Sequence, residues 1–151
     1  MSQLAYIPQQ RAIEIITDVF GDGLTGDRIT WHPYTQPGRE AVDVHWLYTA
    51  QETGADGAEA YLAYFRPGAH GDLHRHLGFE VMVVLEGELV NDNGDHYRPG
   101  TLIVERPNSV HQVSSPEGCK MLVIREKRTL ALRPGESPDA GLALTAAPNG
   151  G

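Results

Sequence analysis

The chain has 151 residues, 40% of them hydrophobic, the size of one ordinary domain able to bury a real core. Twenty acidic residues against twelve basic ones leave a net charge of -8, which argues against a phosphate backbone or an anionic membrane surface as partner. A single cysteine, Cys119, excludes an intrachain disulfide, and no run approaches the roughly 18 apolar residues of a membrane-spanning helix. The N-terminal MSQLAYIPQQ has neither the basic nor the apolar region of a signal peptide, so a cytoplasmic protein is expected.

In chain order, residues 9–20 place Ala12, Ile13, Ile16, Val19 and Phe20 near one face at helical period, with Gly21 as a stop. This predicts a short N-terminal helix within a segment spanning residues 1–25. Residues 29–39 are rich in turn formers. Residues 41–49 then alternate, with Val42, Val44, Trp46 and Tyr48 on one side and Asp43, His45, Leu47 and Thr49 on the other, as in a strand. The polar QETGADGAE reads as a turn before a second strand, EAYLAYFR, in which Tyr61, Ala63 and Phe65 face away from Ala60, Leu62 and Tyr64. Residues 81–85 form a nearly continuous apolar strand, and NDNGDHY a hairpin whose Asn-Gly supplies positive φ. Further strands are expected at residues 101–105, 110–114 and 119–126, separated by short Pro/Gly turns. Cys119 reads as a packing residue of the last of these, not a nucleophile. The regular short spacing predicts an all-β sandwich or barrel over residues 26–133. Residues 134–151 shift to Pro, Gly, Ala and Ser and are expected to form a mobile tail, with residues 142–144 offering an edge strand. Strand edges need cover, and Tyr6, Ile7 and the apolar strand at 42–48 point to a homodimer.

The chemistry gathers in GAHGDLHRHLGFEVMVVLEG, residues 68–87. In a strand, side chains at i and i+2 share a face, so His74 and His76 can grip one ion. Glu80 shares their parity and enters an apolar strand, where a carboxylate needs a partner that a cation would supply. His111 follows a second punctuated strand in PNSVH. Isolated, a His-x-His pair is more often a surface feature; the glutamate, the flanking glycines and the distant histidine together make a metal site the better reading.

With Gly68, His74, His76, Glu80 and Gly87, this stretch resembles the first cupin motif without a departure. Gly100, Pro107 and His111 resemble the second, with Ser109 where many cupins have Gly and one residue fewer between Pro and His. The spelling of residues 65–125 is most similar to the ChrR-like cupins, which include an anti-sigma factor domain and acetylacetone-cleaving dioxygenases. The resemblance implies a double-stranded β-helix, or jelly roll, holding one divalent metal on His74, His76, Glu80 and His111. It points to zinc for binding members and ferrous iron for dioxygenase members. The acetylacetone-cleaving relatives rely on histidines alone, whereas this chain keeps the glutamate. Imidazole-rich sites also accept manganese, nickel or copper.

Three imidazoles and one carboxylate leave a divalent ion near +1, with about two positions of an octahedral shell open to water, dioxygen or a chelating substrate. No catalytic residue beyond the metal centre is identifiable. His45, His70, Tyr64 and Met82 are candidates for the pocket, with Phe65 and Val84 as further apolar wall, although core packing is the commoner role of such residues. His32 and His96 lie in turn-rich stretches and are expected in solvent, and Gln112 points away from His111. Two classes of function follow. One is an enzyme, dioxygenase-like on a small carbonyl or enol compound, or a non-redox cyclase or isomerase of a polyketide-like or sugar-like compound. The other is a non-catalytic zinc- or ligand-sensing module. Direct sigma-factor binding is not expected, since the anti-sigma relative uses a separate N-terminal zinc domain with a Cys-x-x-Cys.

Overall fold

The computed structural model describes residues 12–35 and 38–132, which fall into two units divided between Thr30 and Trp31. The expected tail and its edge strand, the segment with Tyr6 and Ile7, and the first residues of the expected helix lie outside these. In the first unit the helix does not form: residues 12–20 carry no helix, and the regular element is a 3-10 turn at Asp22–Thr25. Asp18 explains the failure locally. It sits at φ 55, its Oδ2 accepts from Asp22 N at 3.0 Å, and its carbonyl accepts from the N–H groups of Gly21 and Gly23. Side-chain and turn hydrogen bonds of this kind compete with a helical ladder. A short helix needs packing of its apolar stripe to persist, yet Ile13 and Phe20 are 69% and 63% exposed.

The second unit is built from antiparallel strands: β1 (His32–Pro33), β2 (Arg39–Tyr48), β3 (Glu59–Gly71), β4 (His74–His76), β5 (Glu80–Gly87), β6 (Leu89–Asn91), β7 (His96–Tyr97), β8 (Leu102–Glu105), β9 (Val110–His111), β10 (Val113–Ser115), β11 (Cys119–Arg125) and β12 (Thr129–Ala131). One sheet of nine strands runs β7-β6-β10-β3-β11-β5-β8, with β2 and β1 added beyond β3; a second runs β12-β4-β9. The expected all-β jelly roll is present as a curled antiparallel half-barrel. A capping box at Thr49 and Glu52 starts the one-turn helix α1 (Ala50–Thr53), where the sequence reading has only a polar turn.

The sheet bends at a definite place. In β3, Pro67 contributes no N–H and Gly68 takes φ +87, while opposite them β2 shifts register between Glu40 and Val42 around Ala41, itself at φ +59. Before the bend β3 pairs with β11; after it, Ala69 and His70 pair with β10. One long strand therefore serves both halves of the curl. Val42, Val44, Tyr61, Ala63, Phe65, Met82, Val84, Leu89, Val113, Met121 and Val123 of the nine-stranded sheet form the buried core. Full burial of such a side chain is worth about 1.5–3 kcal/mol. The alternation read from the sequence for β2 and β3 is the one that faces Val42, Val44, Tyr61, Ala63 and Phe65 to this core. Cys119 packs there as well, and burial pushes its thiol up to about 12.

Candidate metal centre

β4 and β9 lie side by side with His74 directly opposite His111, and His76 two residues along on the same face. Three imidazoles thereby converge: ring centroids are 5.0 Å apart for His74 and His76, 4.6 Å for His74 and His111, and 4.8 Å for His76 and His111. One nitrogen from each lies within 4.8 Å of the others, and all three residues are buried. This buried triad could hold a metal ion.

The rings of His74 and His76 are turned by their other nitrogens. His74 Nδ1 donates to the carbonyl of Asp72 at 2.9 Å. Ser109 Oγ gives its own proton to the carbonyl of Arg106 at 2.7 Å, so at 3.0 Å it accepts from His76 Nδ1. The backbone reinforces this contact, with His76 N bonding Ser109 O and Asn108 N bonding His76 O. A Glu105 carboxylate oxygen stands 3.3 Å from His111 Nδ1. Histidines that ligate metals commonly donate their second N–H to such carbonyl or carboxylate groups, which leaves the other nitrogen unprotonated. Burial, and after it the Arg39 guanidinium, lower the pKa of His74 to about 3, so its ring is neutral at neutral pH. Burial likewise lowers His111, against the opposing pull of Glu105.

Glu80 opens β5 after a turn whose Leu77 and Phe79 are exposed, and is buried in step with Met82 and Val84. Its Oε2 is 2.5 Å from His76 Nε2, yet neither atom makes a hydrogen bond. Two buried atoms with lone pairs held so close require a positive charge between them, a proton or a cation. Burial pushes the Glu80 carboxyl up, but the His76 ring, Arg125 and His74 pull it further down, to about 2.

Strand register adds an element absent from the sequence reading. Glu59 of β3, Arg125 of β11, Glu80 of β5 and Glu105 of β8 are successive cross-strand partners, a row of three carboxylates and one guanidinium. Arg125 Nε bonds Glu59 Oε1 at 2.5 Å, its Nη2 bonds Tyr34 Oη at 3.2 Å, and its guanidinium lies over the Tyr61 ring. That pair neutralises itself and leaves Glu80 and Glu105, the two carboxylates facing His76 and His111. A divalent cation matches the remaining charge, so the residues present fit a metal ion.

The cavity beside the triad is lined by His74, Glu80 and His111 at one end, Tyr34 and Arg39 near them, and Phe65, Met82 and Met121 among its apolar walls. The cavity has a volume of about 20 Å³. That is room for one or two waters, so a larger ligand must displace side chains. Of the residues expected in the pocket, Met82 and Phe65 are there. Val84 is buried in the core, outside the lining. Tyr64 faces the opposite side of β3, packed edge-on to Trp31 with Lys120 Nζ 5.0 Å from its ring. His45 alternates with the core-facing Val44 and lies off the cavity, and His70 is at the surface, 3.1 Å from Glu40. Period-two alternation already separates Tyr64 and His45 from the inner face; nothing local in the sequence marks Arg39 or Arg125, and Ser109 shows there only as a departure from the glycine common in the motif. His32 and His96 are exposed, and Gln112 Nε2 donates to Gly71 O, away from the triad.

Residues 24–128 match the family described as the ChrR cupin-like domain. Among solved structures, the chain is similar to an acetylacetone dioxygenase from Acinetobacter johnsonii (12% identity, TM-score 0.63, 88% of each chain covered). It is also similar to the polyketide cyclase RemF from Streptomyces resistomycificus (19%, TM-score 0.60, 73% of this chain and 84% of that one). A third likeness is to the structure of Rhodobacter sphaeroides SigE in complex with the anti-sigma ChrR (20%, TM-score 0.54, 66% and 51%). At these identities the structural likenesses establish the fold alone. No curated protein matches this chain by sequence.

Proposed function

The chain belongs to the ChrR cupin-like family, and from that premise we propose a metal-dependent enzyme, dioxygenase-like, acting on a small β-dicarbonyl, enol or hydroxy-ketone compound. The observation that carries this reading is the convergence of three buried imidazoles on a carboxylate oxygen that has no hydrogen bond. His74, His76, His111 and Glu80 would hold one divalent ion, zinc or iron before manganese, nickel or copper. Bound there, the ion would supply Lewis acidity toward a carbonyl or enol oxygen and, as iron, redox chemistry with dioxygen. The chain's own residues do the rest. Glu80 cancels one positive charge, so a neutral or singly charged oxygen chelate is favoured over a multiply charged one. Phe65, Met82, Leu89, Val113 and Met121 keep water from the reacting carbons. The flexible Met82 and Met121 are the wall residues best able to yield to an entering ligand. The cytoplasm as compartment and a homodimer as working form belong to the same proposal, the latter checked by light scattering, where a monomeric mass at micromolar concentration would count against it.

The narrow cavity favours a second reading, a zinc- or ligand-sensing module without turnover. Elemental analysis of anaerobically purified protein, followed by oxygen uptake with the iron-loaded form and acetylacetone, separates the two. Oxygen consumption supports the dioxygenase. Turnover without oxygen uptake indicates a cyclase or isomerase, and binding without any turnover leaves the sensing module.

A further inference from the structure

Arg39 has no place in the metal shell, yet its side chain lines the same cavity as His74, Glu80 and His111. Its fold context holds it there. It opens β2 opposite Gly71, and a Cβ on Gly71 would sit 3.1 Å from Arg39 Nη1 and 3.4 Å from its Cδ, so the absent side chain clears the path of the guanidinium. On the other flank, Gly38 at φ +98 turns its carbonyl to accept from Arg39 Nη1 at 3.0 Å. The guanidinium also lies 5.9 Å from the centroid of the Tyr34 ring.

The partners are what is missing. A guanidinium carries five N–H donors in a planar fork matched to a carboxylate. Among the described residues, Arg39 spends one of them on a backbone carbonyl and pairs with no carboxylate. Arg125, by contrast, has Glu59, and Arg66 has Asp43. A half-buried cation kept without a counter-ion, at the polar end of an otherwise apolar cavity, calls for an anion brought by the ligand.

We propose that Arg39 is the anchor for a carboxylate on the ligand, so that the compound taken by this cavity is a small oxo or hydroxy acid and not a neutral diketone. This rests on the reading of His74, His76, His111 and Glu80 as a metal centre and narrows its substrate class. The charges agree. With the divalent ion balanced by Glu80 and Glu105, Arg39 remains as about one uncompensated positive charge, which matches one ligand carboxylate. Size agrees too, because replacing a terminal acetyl group by a carboxylate, a methyl exchanged for an oxygen, adds no heavy atom in a cavity with so little spare room.

Acetoacetate and acetylacetone, nearly the same shape and differing in that replacement, are the probes. Their binding to the zinc-loaded protein, which removes oxygen chemistry from the readout, is measured by calorimetry for the natural chain, R39Q and R39K. Zinc content and melting temperature are recorded for each. The natural chain should bind acetoacetate about tenfold or more tightly than acetylacetone. R39Q should lose that preference while holding acetylacetone and zinc as before, and R39K should regain part of it. Equal binding of the two probes by the natural chain, or equal weakening of both in a folded, zinc-loaded R39Q, overturns the role of Arg39 and leaves the metal centre standing. Failure of the natural chain to retain zinc overturns both. Should R39Q not fold, the natural chain's preference and its reduction in R39K decide the matter alone.

Discussion

At the scale of single residues, the two motif glycines answer to different forces. Gly68 needs only its positive φ, for nothing lies within 4 Å of an added Cβ, whereas at Gly87, φ +75, the same atom would meet the Gly118 carbonyl oxygen at 2.0 Å. Gly68→Ala should therefore cost about 1–2 kcal/mol of backbone strain. Gly87→Ala should cost distinctly more, because the neighbouring strand must also move. Urea melts of the two variants, compared at fixed pH, test the order, and equal losses would contradict it. Ser109 departs from the glycine common at its place, and its hydroxyl orients His76. Ser109→Ala should weaken zinc binding about 10-fold or more while leaving the melt of the metal-free protein nearly unchanged. Competition with a chromogenic chelator reads the first quantity. The Cys119 thiol, buried and pushed up to about 12, should react with a maleimide only on unfolding.

At the scale of elements, the row Glu59, Arg125, Glu80 and Glu105 ties four strands through charge. Removing one partner of the buried pair leaves the other uncompensated, so Glu59→Leu should destabilise by about 3–5 kcal/mol. The double variant Glu59→Leu with Arg125→Met should recover much of that loss in chemical denaturation. If the double variant is as unstable as the single one, Arg125 serves Tyr34 and Glu80 more than Glu59. Residues 12–20 show the opposite case, a periodic apolar segment that stays irregular. Its pattern is visible in the sequence, but the carboxylate of Asp18 and the exposure of Ile13 and Phe20 decide against a helix. Threonine and glutamate at 49 and 52 carry the opposite signal, a capping box legible in the letters and too short to register as a period.

At the scale of the molecule, protonation and metal binding compete for one centre. The ordinary values for His74 and Glu80 are 6.5 and 4.5, and the fold holds them at about 3 and about 2. Between each pair of values the unfolded chain takes up a proton that the folded one refuses, so acidification favours unfolding. The metal-free protein should lose stability progressively below about pH 6.5 from His74 and again below about 4.5 from Glu80, with no loss from either group above neutrality. Thermal melts across that range check the sign, and stability that rises on acidification would refute the burial of these groups. Zinc should raise the melting temperature at neutral pH, and a chelator should reverse the gain.

The letters alone determined the all-β class, the inward faces of β2 and β3, and the His74, His76, Glu80 and His111 pattern, because period-two alternation and fixed short spacings are local properties of a chain. The tertiary structure alone decided what depends on register between distant strands. It placed Arg39 in the cavity, brought Ser109 to His76 across 33 positions, and set Arg125 between Glu59 and Glu80. Such neighbours are chosen by where a sheet bends, here at Gly68 and Ala41, and by which strands it then brings into contact, and no window of sequence contains both partners.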